Sequence, residues 1–308
     1  MANSARFDMA AHVRRINSQD KVATGILTFI VGIVLLILAA IIIYILVQGA
    51  GKLFDISFLT GEPEQFRAGG GIGPELFNSF YLLFLTLLIS VPISLGAAIF
   101  LAEYAPENGV TAAAKTLIET LSSLPSIVVG LFGFLFFVLM MGWGFSIISG
   151  AIALTMFNIP ILVRVIQQAL EDVPRSQRDA ALAMGLTRWE TTIHVLLPVA
   201  MPAIVTGIVL SAGRVFGEAA ALIYTAGQSA PTLDFTNFDL TSPTCPWNIF
   251  RPAETLAVHI WKINSEGVVP DLEAVSNGTA AVLMVCILAF NIIARLVGKA
   301  LERRLTRE

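Results

Sequence analysis

Charged side chains are scarce in this sequence. They make up 13% of its 308 residues, about half the ~25% of an ordinary soluble domain. With 56% apolar residues and a mean hydropathy of +0.79, a water-soluble surface cannot be built from this composition. Cysteine is nearly missing: Cys245 and Cys286 are the only two, and the second lies in an apolar run, so no disulfide framework is expected. No long basic block exists and the net charge is −3, which leaves a nucleic acid without an electrostatic footprint. His12, His194 and His259 are far apart, with no HExxH or Cys/His spacing of the zinc type. No metal is therefore expected, and no other cofactor is called for. A phosphate-cradling G-x-x-x-x-G-K-[ST] loop is also lacking, since Gly51-Lys52 and Gly298-Lys299 have no upstream glycine. If ATP drives this protein, another chain must bind it. The first apolar run is about twice the length of a signal-peptide core and has no A-x-A exit, so it reads as an uncleaved anchor.

What is abundant is uncharged length. Lys21 to Lys52 encloses 30 uncharged residues, Glu75 to Glu103 encloses 27, Glu119 to Arg164 encloses 44, Glu190 to Arg214 encloses 23 and Glu273 to Arg295 encloses 21. A bilayer-crossing helix needs about 20 residues, whereas a strand needs about 10. The expectation is an all-α membrane protein with six spans, at 24–47, 76–101, 119–141, 146–164, 199–224 and 276–296. The longest run is divided by a turn at Gly142, Trp143 and Gly144, and the fifth span follows Pro198 with Pro202 in its first turn.

Lysine and arginine set the orientation. With the N-terminus cytoplasmic, 14 of them face inward. Only Lys52, Arg67, Arg251 and Lys262 face outward, and Arg214 stays inside a span, which accounts for all 19. Both termini are thus expected in the cytoplasm and the protein in the cell (inner) membrane. Two long segments, 48–75 and 225–275, then lie outside. The glycine-rich stretch Gly69–Gly73 reads as a turn delivering the second span, more than as a nest of amides for an anion. Ser122, Ser123, Pro125 and Ser126 read as a kink or as small-residue packing.

The longest inner loop, 165–198, reads as helix, turn and helix. Ser176 is the expected N-cap, with Asp179 as an acid in the first turn. Gly185 is the residue type that ends a helix with positive φ, and a second short helix, Arg188 to Val195, ends at Pro198. A membrane-surface amphipathic segment would read the same way. Its spacing is more specific. Asp179-Ala180-Ala181, three residues, Gly185, nine residues and then Val195-Leu196-Leu197-Pro198 resembles the EAA-x3-G-x9-I-x-L-P pattern of permease subunits of type I binding-protein-dependent ABC importers, with Asp for Glu and Val for Ile. Three further stretches resemble the phosphate-specific branch of that family: Gly70 to Phe80, Glu119 to Gly130 and Gly213 to Ala220.

The resemblance implies an importer core over 71–297, preceded by a tail, an accessory helix and an outer loop over 1–70, and followed by a basic tail over 298–308. It implies that Asp179, Ala180, Ala181, Gly185, Val195, Leu197 and Pro198 form the element that docks on an ATPase. It implies partners as well: a second, similar permease chain, two ATPase subunits and an extracytoplasmic phosphate-binding protein, all around the lipid bilayer. Sulfate and molybdate permeases share the scaffold, and an ATP-independent secondary transporter is the alternative from another class.

Arg214 and Glu218 are charges inside the fifth span, spaced i, i+4 and so expected on one helical face. They read either as an ion pair that locks the bundle or as an anion-path arginine with its counter-charge. Guanidinium stays protonated and binds tetrahedral oxyanions through paired hydrogen bonds.

Overall fold

Most breaks in the chain's helices fall at proline and glycine, and between them the backbone closes its hydrogen bonds locally, as a bilayer requires. The computed structural model describes residues 2–305 apart from Gln65 and Val268, and the side chains of 19–298 apart from those two and Val297. All secondary structure among the described residues is helical. Five helical stretches are long and apolar enough to cross a membrane: Gln19–Leu53, Gly73–Tyr104, Ile147–Glu171, Arg188–Phe216 and Leu272–Leu296. A sixth crossing follows if the bent pair Gly109–Ser122 and Ser126–Met140 counts as one.

The chain forms two compact units, Met1–Gln48 and Gly49–Glu308. The first is most of α1 (Ala2–Leu53), whose large apolar side chains between Val22 and Val47 are mostly exposed, a surface suited to lipid. In the second unit Asp55 caps α2 (Ile56–Thr60) by accepting from the amides of Ser57 and Phe58. Residues 56–72 pack with the core, because Phe58 is buried and its carbonyl accepts from the Ile72 amide at 2.8 Å. The Gly71 and Gly73 amides donate to Glu62 and Gly61, and Gly69 donates to Asp271. Gly69–Gly73 is thus a tied turn, with the amides of Gly69, Gly71, Ile72 and Gly73 in use.

The third span departs from expectation. A helix, α4 (Gly109–Ser122), starts ten residues before position 119, capped by Asn108. It then turns through 96° into α5 (Ser126–Gly133), which continues as π-helix over Phe134–Met140. Pro125 is the cause, lacking an N–H and disfavouring a helical conformation in the residue before it. The Ser122 and Ser123 hydroxyls are spent on the carbonyls of Glu119 and Thr120. Close packing by small residues occurs further on. A Cβ on Gly130 would lie 2.8 Å from the Ala221 Cα, and one on Gly133 would lie 2.7 Å from the Thr225 methyl. Gly142 and Gly144 take φ of +70° and +65° and make the expected turn.

Between those elements, α3 (Gly73–Ile99) runs on through a π turn at Phe100–Tyr104 and packs along α6 (Ile147–Glu171). The fifth span also differs. The helix begins at Arg188, with α8 (Arg188–Thr191), a π turn at Thr192–Leu196 and α9 (Leu197–Phe216) forming one rod. Pro198 does not end the second loop helix. The Leu197 amide bonds Thr192 across five residues, and this widened turn accommodates a proline that would otherwise crowd the preceding turn. The rod stops at Phe216, and a short α10 (Ala220–Thr225) follows. Beyond the loop at 226–255, α11 (Leu256–Glu266) and α12 (Leu272–Leu305) complete the unit.

Inside the bundle, the Asn158 amide donates to Ser90 at 3.1 Å and its carbonyl oxygen accepts from Ser211, linking α3, α6 and α9. All three side chains are buried. Polar links of this kind join helices where lipid offers no hydrophobic drive for association.

Candidate functional site

At one end of the bundle, α7 (Arg175–Ala183) forms the first half of the loop. Its N-cap is Pro174, not Ser176, so Asp179 lies beyond the first turn and does not complement the helix start. Gly185 behaves as expected: φ is +89°, its amide donates to Leu182 and the Leu186 amide donates to Ala181, a Schellman stop. Thr187 and Glu190 then form a capping box that starts α8. Ala181 is buried, and Val195, Leu197 and Pro198 are half-buried, while Asp179 and Ala180 are exposed. Near them Met184 is 81% and Trp189 58% exposed, leaving an apolar surface without cover on this chain.

One tie was not anticipated. Arg178 donates to Glu103 at 2.5 Å, with Glu103 nearly buried, and pins α7 to the end of the α3 rod. Glu103 and Arg178 are 75 residues apart, so no local signal could have paired them.

Arg214 and Glu218 do not share a helical face. Arg214 sits in the last turn of α9, and Glu218 follows the break at Gly217. Among the described residues no ion pair joins them. Each instead meets a helix end: the cation lies at the C-terminus of α9, and the Glu218 carboxylate accepts from the Ala221 amide at 3.3 Å at the start of α10. Both placements suit the peptide dipoles. The Arg214 guanidinium is 4.0 Å from the centroid of the buried Phe157 ring, and its side chain is exposed on this chain.

The opposite end holds a buried polar layer that sequence reading missed. Arg251 is 1% exposed and donates to the carbonyls of Cys245, Pro246 and Pro252 and to Asn78 Oδ1. Burial pushes its pKa down to about 10, so it remains a cation at neutral pH. Asn78 also donates to the Glu254 carbonyl, and the Ser79 hydroxyl accepts from the Leu256 amide. Behind these, Glu254 accepts from Lys262 at 3.0 Å and lies 2.7 Å from His259 Nδ1. Glu75, wholly buried, lies 3.9 Å from the same nitrogen.

Residues 94–307 match the family described as "Binding-protein-dependent transport system inner membrane component". The chain is 51% identical to the probable ABC transporter permease protein YqgI of Bacillus subtilis, over 93% of this chain and 97% of that one. It is 32% identical to the phosphate transport system permease protein PstA of Yersinia pestis, over 78% of this chain and 76% of that one. Among solved structures, a bacterial alginate ABC transporter in complex with a periplasmic protein superposes with a TM-score of 0.61 at 15% identity, covering 90% of this chain and 93% of that one. The MetNI methionine transporter in an inward-facing conformation gives 0.54 at 17% identity, covering 75% and 94%. All-helical architecture among the described residues and the matched family agree: the chain belongs to the inner-membrane permease components of binding-protein-dependent ABC importers, non-catalytic multi-pass subunits.

Proposed function

We propose that this permease imports inorganic phosphate. The observation that carries the substrate is the likeness to PstA across most of the chain, and the chemistry of Arg214 supports it. A fixed cation in an otherwise uncharged stretch, held on an aromatic face and not by a carboxylate, is suited to a tetrahedral oxyanion. Transit also needs release, and Glu218, four residues on and past the helix break, is the counter-charge that limits how tightly the anion is held.

The orientation follows the lysine and arginine count, with both termini and the 165–198 loop cytoplasmic. In this reading the chain pairs with a second, similar permease. Two ATPase subunits receive the surface around Asp179, Ala180, Met184 and Trp189. An extracytoplasmic binding protein delivers phosphate at the other end. ATP-driven closure of the ATPases moves the loop, the rigid rod from Arg188 to Phe216 carries that motion to Arg214, and the path opens outward. A permease for another oxyanion is the second reading, since the Arg214 guanidinium pairs with any tetrahedral oxyanion.

Labelled phosphate uptake, with sulfate and molybdate as competitors, tests this in cells carrying the chain intact, deleted or as Arg214→Gln. Uptake lost in both altered strains and indifferent to the competitors supports it. Uptake that survives deletion, with no redundant phosphate system present, rejects the substrate. Normal uptake by Arg214→Gln rejects the role of the arginine.

A further inference from the structure

We propose that Glu75, Glu254 and His259 form a binding site for a divalent transition-metal ion of the zinc type, at the end of the bundle away from the docking loop. Three elements supply the ligands. Glu75 is in the first turn of α3, Glu254 immediately precedes Thr255, the N-cap of α11, and His259 is in that helix. Their donor atoms lie within 4.8 Å of one another, and the residues are 0%, 1% and 5% exposed.

Two observations point to a ligand. Both Glu75 carboxylate oxygens are buried with no hydrogen-bond partner among the described residues. A proton on Glu75 would remove the charge and still leave its oxygens unpartnered, whereas a cation satisfies both requirements. The charge balance agrees. Two carboxylates face a single lysine, and Lys262 is already divided between Glu254 Oε2 and the Gln228 carbonyl.

The geometry is close to what a metal needs. Ligand bonds of about 2.0–2.2 Å at tetrahedral angles put donor atoms roughly 3.4 Å apart. The separations from His259 Nδ1, 2.7 Å to Glu254 and 3.9 Å to Glu75, bracket that value. The ion would take the place of the proton now shared between His259 and Glu254, so binding releases it. A cavity of 330 Å³ reaches the site, lined by Glu254, His259 and Lys262 together with Gly70, Gly71 and Ser229. It gives an entry path and room for a water as further ligand. Glu64 and Glu266 also line it, which favours a cation over an anion. Imidazole with carboxylates suits zinc better than magnesium or calcium.

The scaffold holds the ligands in place. The Asn78 bond to Glu254 and the Ser79 bond to Leu256 span 176 and 177 residues, so a metal here staples the 226–266 excursion to the start of α3. The proposal is independent of the phosphate reading, and its test reads no transport.

The purified complex, stripped with a chelator, is titrated with Zn²⁺ and with Mg²⁺ by equilibrium dialysis and metal analysis. One zinc per chain is expected, without magnesium competition. Glu75→Gln and His259→Gln should each weaken zinc binding about 10–100-fold, and Glu107→Gln, at an exposed carboxylate outside the cavity, should not. Cobalt in the intact chain should show the visible absorption of a four-coordinate nitrogen and oxygen site, which needs no variant to fold. No stoichiometric zinc, equal binding in all variants, or a six-coordinate cobalt spectrum like that of free Co²⁺ would each overturn the assignment.

Discussion

The Arg214 guanidinium lies 4.0 Å from the centre of the Phe157 ring, and that ring is 2% exposed. A cation on an aromatic face gains about 0.5–2 kcal/mol. The contact holds the charge in the span without a carboxylate, and joins the end of α9 to the middle of α6.

Phe157→Leu removes the aromatic face and keeps an apolar side chain. With Arg214 in the path as proposed, losing about 1 kcal/mol from its positioning corresponds to roughly a 5-fold drop in transport. Uptake normalised to assembled complex reads this, and an unchanged rate would separate the ring from the function of the arginine.

Gly185→Val places a β-branched residue at a φ of +89°, where a side chain costs about 1–2 kcal/mol. The Schellman stop loosens, and the proposed docking surface loses its shape. Co-purification of the ATPase subunits should fall while the permease still reaches the membrane; full recovery of ATPase would argue against docking by this loop.

Asn158→Leu removes the centre of the Ser90–Asn158–Ser211 link. Interhelical bonds of this kind are worth about 0.6–2 kcal/mol, so thermal unfolding in detergent should shift down by a few degrees. Ser211→Ala, which deletes one arm, should shift it less.

Glycine-to-alanine changes should divide by position. Gly130→Ala drives a methyl to 2.8 Å from the Ala221 backbone and should cost about 1–3 kcal/mol by overpacking. Gly32→Ala meets nothing within 4 Å, and in a helix it should stabilise by about 0.5–1 kcal/mol. Melting temperatures of the two variants should move in opposite directions.

Arg251→Met leaves three backbone carbonyls and the Asn78 amide oxygen without a buried donor. At about 1–3 kcal/mol for each group that stays unsatisfied, a loss of roughly 3 kcal/mol or more is expected. Limited proteolysis of the segment 226–255 would report it directly; resistance equal to that of the unchanged protein would show that water replaces the guanidinium.

Much of this architecture is legible residue by residue. Uncharged runs of bilayer length announce helices, because lipid offers no partner to an open backbone. The order Ala180-Ala181, three residues, Gly185 is a local instruction, since one glycine at positive φ stops a helix within a turn. Pro125 and Pro198 are equally visible, but their effects are not. The first turns the chain by 96°, while the second is absorbed by a π turn, and the choice lies in how neighbouring helices pack. Arg214 and Glu218 show the limit most clearly: their spacing suggests one face only if the helix continues, and it ends at Phe216 so that Ala220–Thr225 can pack on Gly130 and Gly133. Periodicity and turn chemistry act over a few residues and so are written along the chain. The meetings of Glu75 with His259, Asn78 with Arg251 and Glu103 with Arg178 join residues up to 184 positions apart, and they exist because close packing of long helices brings those ends together.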